Sequence, residues 1–200
     1  PNVLYGASNT DLIATRDGGE SWTVTPLNAS AVHISVDPED PLHLFVQTNP
    51  FNPGPEAVPA LRQSKDGGAT FGTALTVTAE SGFFDPFESG TFFFKSSGLL
   101  RRTTRDTFPE SAIIQGEPMQ QIVPHLGSPG VFFCIRGFNS GVFRSTDRGA
   151  TWEPWSEILP FVPGPMVIGD GGVVHIYTFA VSADSYIAKS DANGAITYLS

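Results

Sequence analysis

One octapeptide pattern recurs along this chain and limits what it can fold into. Thr15-Arg16-Asp17-Gly18-Gly19-Glu20-Ser21-Trp22 returns as Ser64-Lys65-Asp66-Gly67-Gly68-Ala69-Thr70-Phe71 and as Ser145-Thr146-Asp147-Arg148-Gly149-Ala150-Thr151-Trp152. The shared form is hydroxyl, any residue, Asp, any residue, Gly, any residue, hydroxyl, aromatic. Two looser copies fill the gaps: Thr104-Arg105-Asp106, and Ser190-Asp191-Ala192-Asn193-Gly194 ahead of Ile196-Thr197-Tyr198. The aspartates fall at 17, 66, 106, 147 and 191, with steps of 49, 40, 41 and 44 residues. A fixed period of this length marks a chain built from stacked, similar units.

A second signal repeats out of phase with the first. Turn residues close an apolar run at Asp37-Pro38-Glu39-Asp40-Pro41, at Asp85-Pro86, at Gly127-Ser128-Pro129-Gly130 and at Asp170-Gly171-Gly172. Strand-like runs follow each: LHLFVQT, TFFFKSS, VFFCIRG and VVHIYTF. Runs apolar at nearly every position suit sheets covered on both faces. No stretch keeps a helical period, so almost no helix is expected.

Two registers with one period predict an all-β chain, a β-propeller of four-stranded antiparallel blades. In each blade, strand A ends in the Asp/Gly/Pro turn, strand B follows it, a short strand C enters the aspartate motif and strand D leaves it. The phasing gives about five blades: a partial one at 1–26, then 30–78, 80–116, 118–160 and 163–200. The first blade lacks a strand A. Either the ring is open or, as we read it, the chain is part of a larger ring; a third expectation is self-assembly, with the missing strand donated by a neighbouring copy.

The aspartate motif is a turn built from its own side chains. The carboxylate accepts from nearby backbone N–H groups, and the glycine supplies a positive φ. The closing aromatic is expected to wedge between sheets. Asp17, Gly19, Trp22, Asp66, Gly68, Phe71, Asp147, Gly149 and Trp152 are therefore read as structural, because a catalytic group is needed once and these recur.

The three good copies resemble the Asp-box, or BNR, repeats of sialidases, xyloglucanase-type glycoside hydrolases, sortilin-type receptors and a photosystem II assembly factor. ISVDPEDPLHLFV followed by QSKDGGATF looks most like xyloglucanase and sortilin blades. The last blade, Tyr186-Ile187-Ala188-Lys189-Ser190-Asp191-Ala192-Asn193-Gly194 and then Tyr198, is similar to the repeat of bacterial secreted seven-bladed propellers. The resemblance implies fold more than activity. Because such proteins are mostly exported, it also implies an extracellular or cell-surface location.

Catalytic residues do not stand out. The early Arg-Ile-Pro-like motif of sialidases is absent, and nothing marks three of the eight arginines as a triad. A xyloglucanase-type enzyme needs two carboxylates across a cleft. Asp37, Asp85 and Asp170 are explained as turn formers, all in the same slot after strand A, and Glu56, Asp11 and Asp184 on candidate B–C loops cannot be paired. The histidines His33, His43, His125 and His175 lack metal-ligand spacing. No catalytic, cofactor-binding or metal-binding residue is assigned. Cys134, the single cysteine, sits in the apolar run VFFCIRG and reads as a buried small hydrophobe.

Charge narrows the partners. Eleven basic residues against 20 acidic ones leave a net charge of -9, which disfavours nucleic acid and anionic membranes. No run approaches a membrane span. The loop Thr48–Ala60 carries four prolines, which lower its ordering cost. It joins B to C, on the face opposite the aspartate turns, and offers Phe51, Asn52 and Glu56 as candidate contacts, with Trp155 as a further surface aromatic. Phe83, Phe84, Phe87, Phe92, Phe93 and Phe94 read as an interface between blades. The expected protein is a binding or assembly scaffold for a glycan or protein ligand; the alternative is a fragment of an Asp-box glycoside hydrolase.

Overall fold

The computed structural model describes residues 2–8, 10–50, 58–137, 140–159, 162–179 and 186–199. Every element in them is a strand except a 3-10 turn at Asp170–Gly172. No helix among them is long and apolar enough to cross a membrane.

The strands form five antiparallel sheets in chain order. The first has three strands, β1 (Leu4–Ala7), β2 (Asp11–Thr15) and β3 (Thr23–Pro26). The second holds β4 (Ser30–Val36), β5 (Leu44–Asn49), β6 (Ala60–Ser64) and β7 (Leu75–Thr76). The third holds β8 (Ala79–Phe84), β9 (Thr91–Ser96), β10 (Leu99–Thr104) and β11 (Ala112–Gln115). The fourth holds β12 (Gln121–Pro124), β13 (Phe132–Ile135), β14 (Val142–Ser145) and β15 (Glu153–Pro154). The fifth holds β16 (Val162–Ile168), β17 (Val174–Phe179), β18 (Tyr186–Ser190) and β19 (Ile196–Leu199). Each is an up-and-down meander, the pairing that short local turns produce.

Two compact units divide the chain: Pro1–Ser97 with Arg101–Ala112, and Gly98–Leu100 with Ile113–Ser200. In the first unit, Leu12, Leu27, Leu44 and Val46 form one core, with Tyr5 and Phe71 packed on it. Phe45, Leu61, Ala79, Phe84, Phe92 and Phe94 form another. The rings of Phe45 and Phe92 stack at 4.3 Å, and Phe84 meets Phe92 edge-on at 5.1 Å. Most of the predicted phenylalanine cluster is thus interior, where each ring removes a large apolar area from water; Phe87 alone of the six is well exposed. In the second unit the core joins Phe133, Ile135, Val142 and Leu159 of the fourth sheet to Met166, Val174, Ile176 and Ala188 of the fifth. Cys134 is fully buried there, and burial pushes its thiol up to about 12.

Strand A carries a feature that the sequence does not announce. The register slips between Ala31 and His33, between Ala79 and Ser81, and between Pro163 and Met166. These bulges bend and twist the strand at nearly the same distance before each A–B turn. The turns also correspond: Asp37 N donates to His43 O at 2.9 Å, Asp85 N to Thr91 O at 2.9 Å, His125 N to Val131 O at 2.9 Å and Gly169 N to Val173 O at 2.8 Å. The fifth sheet therefore places Gly169, not Asp170, in the slot of Asp37 and Asp85. Asp170 is drawn one residue on, into the 3-10 turn.

Candidate functional site

The aspartate loops are uniform in geometry. Asp66 Oδ1 accepts from Thr70 N at 2.9 Å and from Ser64 Oγ at 2.8 Å, and Oδ2 accepts from Thr70 Oγ1 at 2.6 Å. Ser64 Oγ in turn accepts from Gly68 N at 2.8 Å. Asp147 repeats this set with Thr151, Ser145 and Gly149, and Asp17 with Ser21, Thr15 and Gly19. Gly19, Gly68 and Gly149 have φ of 104°, 84° and 85°, open to glycine at no steric cost. Hydrogen bonds from Ser21 hold Asp17 well below the usual carboxylate range. Partial burial opposes the same effect at Asp66 and Asp147, but the bonds from Thr70 and Thr151 outweigh it, and both are lowered.

One expectation about this motif needs correction. Trp22 is 47% exposed and does not wedge between sheets; its Nε1 donates to Gly19 O at 3.1 Å and lays the ring over its own loop. Trp152 Nε1 does the same to Gly149 O at 2.9 Å while half-buried, and Phe71 packs on the core. Asp106 forms no such loop. It projects into solvent beside Lys65 at 3.7 Å, while Thr104 and Thr107 bond each other. Without the following glycine, the chain there takes a different turn. Asp191, by contrast, accepts from Asn193 N at 2.8 Å and Ala195 N at 3.0 Å, so the fifth sheet keeps part of the pattern.

Between the second and third sheets lies a buried polar network that the histidine spacing did not reveal. His43 Nδ1 and Asp37 Oδ2 are 3.0 Å apart, and Asp37 Oδ2 also accepts from Gly90 N at 2.9 Å. Gln63 Nε2 reaches His43 Nε2 at 3.0 Å and Arg105 O at 3.0 Å. A carboxylate only accepts, so His43 carries its proton on Nδ1 and accepts at Nε2 from the Gln63 amide. Both oxygens of Asp37, both ring nitrogens of His43 and the Gln63 amide nitrogen are paired. Burial lowers the basicity of His43 although Asp37 opposes it. Arg105 lies against Asp40 at the rim.

A cleft of about 210 Å³ opens between the fourth and fifth sheets, lined among others by His125, Ser128, Arg144, Trp155 and Gly172. Trp155 stands edge-on to Phe133 at 5.7 Å, with the Arg144 guanidinium over its ring at 5.1 Å. It is half-buried rather than a surface aromatic, held by Trp155 N donating to Val142 O at 2.7 Å. Its Nε1 and the Arg144 Nε are buried and have no hydrogen-bond partner among the described residues. Gly194 of the fifth sheet approaches so closely that a Cβ there would lie 1.8 Å from Trp155 O. Of the candidate contacts read from sequence, Trp155 lies in this cleft, while Phe51, Asn52 and Glu56 lie outside the described residues. Asp11 bonds locally to Ser8 and Thr10, and Asp184 is also outside the described residues.

No protein-family model and no curated protein matches the sequence. Solved structures do match in fold. A GH74 enzyme of Niastella koreensis superposes with a TM-score of 0.68 at 15% identity, over 98% of this chain and 35% of its own. An ancestral GH74 enzyme gives 0.72 at 15% identity, over 99% and 29%. YCF48 bound to a D1 peptide gives 0.62 at 16% identity, over 96% and 62%. The chain spans about a third of these enzymes and under two-thirds of YCF48. The fold is that of β-propeller blades. At these identities the likeness is one of architecture, not of activity.

Proposed function

We propose that the blades are of the Asp-box type and form an extracellular or cell-surface scaffold that binds a glycan or protein ligand without chemical turnover. The inter-sheet groups carry this reading. The turn carboxylates Asp37, Asp85, Asp17, Asp66 and Asp147 already accept hydrogen bonds from their own protein, so they are poorly placed to serve as the acid and base of glycoside hydrolysis. The groups left unspent in the Trp155 cleft are donors, which suit recognition of an acceptor-bearing ligand. That one of the similar structures is YCF48 with a bound peptide supports a protein ligand.

A second reading has a specific observation behind it, since two of the similar structures are GH74 enzymes. On that reading the chain is part of an Asp-box glycoside hydrolase. Incubation with xyloglucan and with sialyllactose separates the two. The scaffold reading expects neither new reducing ends nor free sialic acid, together with retention on a glycan or peptide array; sustained turnover of either substrate rejects it.

A further inference from the structure

We infer that the cleft between the fourth and fifth sheets is a carboxylate-binding site, in which Arg144 and Trp155 take a ligand's carboxylate in the role that Asp37 plays inside the second and third sheets. The inference rests on the binding reading of the same cleft and names the chemistry it selects.

The two inter-sheet sites correspond at two positions, while Val131 stands where His43 stands. His125 N bonds Val131 O as Asp37 N bonds His43 O, so His125 stands where Asp37 stands. Arg144 pairs in register with Phe133 as Gln63 pairs with Phe45, and each directly precedes the serine that opens its aspartate loop. In the second and third sheets this space is filled by a carboxylate and three donors, all satisfied: His43 Nδ1 and Gly90 N on Asp37, and the Gln63 amide on His43 and Arg105 O.

Among the described residues of the fourth and fifth sheets no carboxylate takes that place. An imidazole replaces the carboxylate and a guanidinium replaces the amide, and the space is open. Two buried donors are left over, Arg144 Nε and Trp155 Nε1. Leaving such groups unpaired is costly; both nitrogens are shut off from water, so an occupant of the cleft reaches them by a side-chain rotation that opens them to it. Among the described residues Arg62, Arg101 and Arg136 also bury an Nε without a partner, but Arg101 donates to Ser111, Arg136 pairs with Glu117, and no second unpartnered buried donor is found with Arg62.

Arg144 selects among anions. Its planar fork offers two parallel N–H groups, a match to a carboxylate rather than to a spherical halide. No carboxylate of the described residues forms an ion pair with it. The register partner of Arg144, Glu153, is an exposed carboxylate outside ion-pair distance, and the cleft's small size suits a short acid or a single carboxylate-bearing side chain.

The test is a titration of the full chain followed by 1H–15N correlation spectra, read at the tryptophan indole N–H signals. Trp155 is assigned by the signal lost in Trp155→Phe. Trp22 and Trp152 are internal controls, because their indoles already donate to Gly19 and Gly149. Acetate should move the Trp155 signal saturably and leave the other two in place. Arg144→Gln should weaken that response by at least about tenfold, and Arg144→Lys, which keeps charge and loses the fork, should weaken it partly. Unchanged far-UV circular dichroism and unchanged Trp22 and Trp152 signals show that the variants fold. A short peptide with one internal Asp and an amidated C-terminus identifies the source: tighter binding than acetate indicates a protein-borne carboxylate, and weaker binding a free small acid. A Trp155 signal that acetate and peptide leave unmoved, equal binding by Arg144→Gln, or saturation by inorganic phosphate alone overturns the inference. Turnover of xyloglucan would overturn the scaffold reading while leaving carboxylate binding intact, so the two fail separately.

Discussion

His43 Nδ1 donates to Asp37 Oδ2 across 3.0 Å with both side chains buried, and the same carboxylate oxygen takes Gly90 N from the next sheet. One imidazole thus orients the acceptor that joins two blades. Its other nitrogen is occupied by Gln63 and Arg105 lies nearby, so a second proton on the ring would face donors.

Acid should therefore weaken the first unit before ordinary carboxylates titrate. The folded-state pKa of His43 is depressed, so the unfolded chain takes up a proton near its reference value of about 6.5 while the folded chain resists it. Stability is full above that value and declines as pH falls below it. Urea midpoints between neutral pH and the onset of carboxylate titration should show the decline, and His43→Gln should flatten it. A flat profile in the unmodified chain contradicts the assignment.

Removing an aspartate loop should cost stability. Asp66→Ala leaves Thr70 N and the Ser64 and Thr70 hydroxyls without their acceptor, a loss of about 1–2 kcal/mol after allowing for solvent at this half-buried position. Asp66→Asn, which keeps an acceptor oxygen, should lose less. Chemical denaturation of the two variants measures the difference. Because Asp66 and Asp147 have lowered pKa values, their contribution is present above about 3.9 and is lost as pH falls below it.

Gly194→Ala should damage the Trp155 cleft more than its small size suggests. The residue has φ of 89°, and the new methyl would collide with the Trp155 carbonyl, a backbone atom that cannot swing aside. A loss of about 2 kcal/mol or more in thermal or urea stability is expected from overpacking and strained φ combined. Gly171→Ala is the control, since φ is also positive there but nothing crowds the site.

Cys134 should be inert in the folded protein. With no exposed surface and a thiol pushed up to about 12, it holds negligible thiolate at neutral pH. Ellman's reagent should react only after denaturant is added, and reaction at a rate independent of unfolding would contradict this placement.

Phe45→Ala should unfold the first unit most readily among its core substitutions. The ring contacts Phe84, Phe92 and Phe108 together, and its removal should cost about 3–5 kcal/mol. The denaturation midpoint reads it directly.

Much of the architecture was legible in the residues, and the reason is distance along the chain. At Asp17, Asp66 and Asp147 every donor and acceptor lies within four residues of the carboxylate, so the loop is written into one octapeptide. The apolar runs between loops likewise mark strands that pair with their neighbours in sequence. Where the local chemistry is incomplete, as at Asp106 without its glycine, no such loop forms. The fate of Trp22 was also beyond the motif, because whether a closing aromatic is buried depends on what packs over it.

The sites themselves were not legible. Gln63 and His43 are 20 residues apart, Asp37 and Gly90 are 53 apart, and nothing in either segment marks them as partners. Likewise, Arg144 and Trp155 look like any strand arginine and any aromatic after a proline. The repeating turns, the strands and their antiparallel order can be read from the residues, because those depend on backbone preferences and hydrogen bonds reached over a few residues. Which inter-sheet space is closed by an internal carboxylate and which is left open with unpaired donors emerges only in the folded chain, because it depends on side chains that folding alone brings within reach.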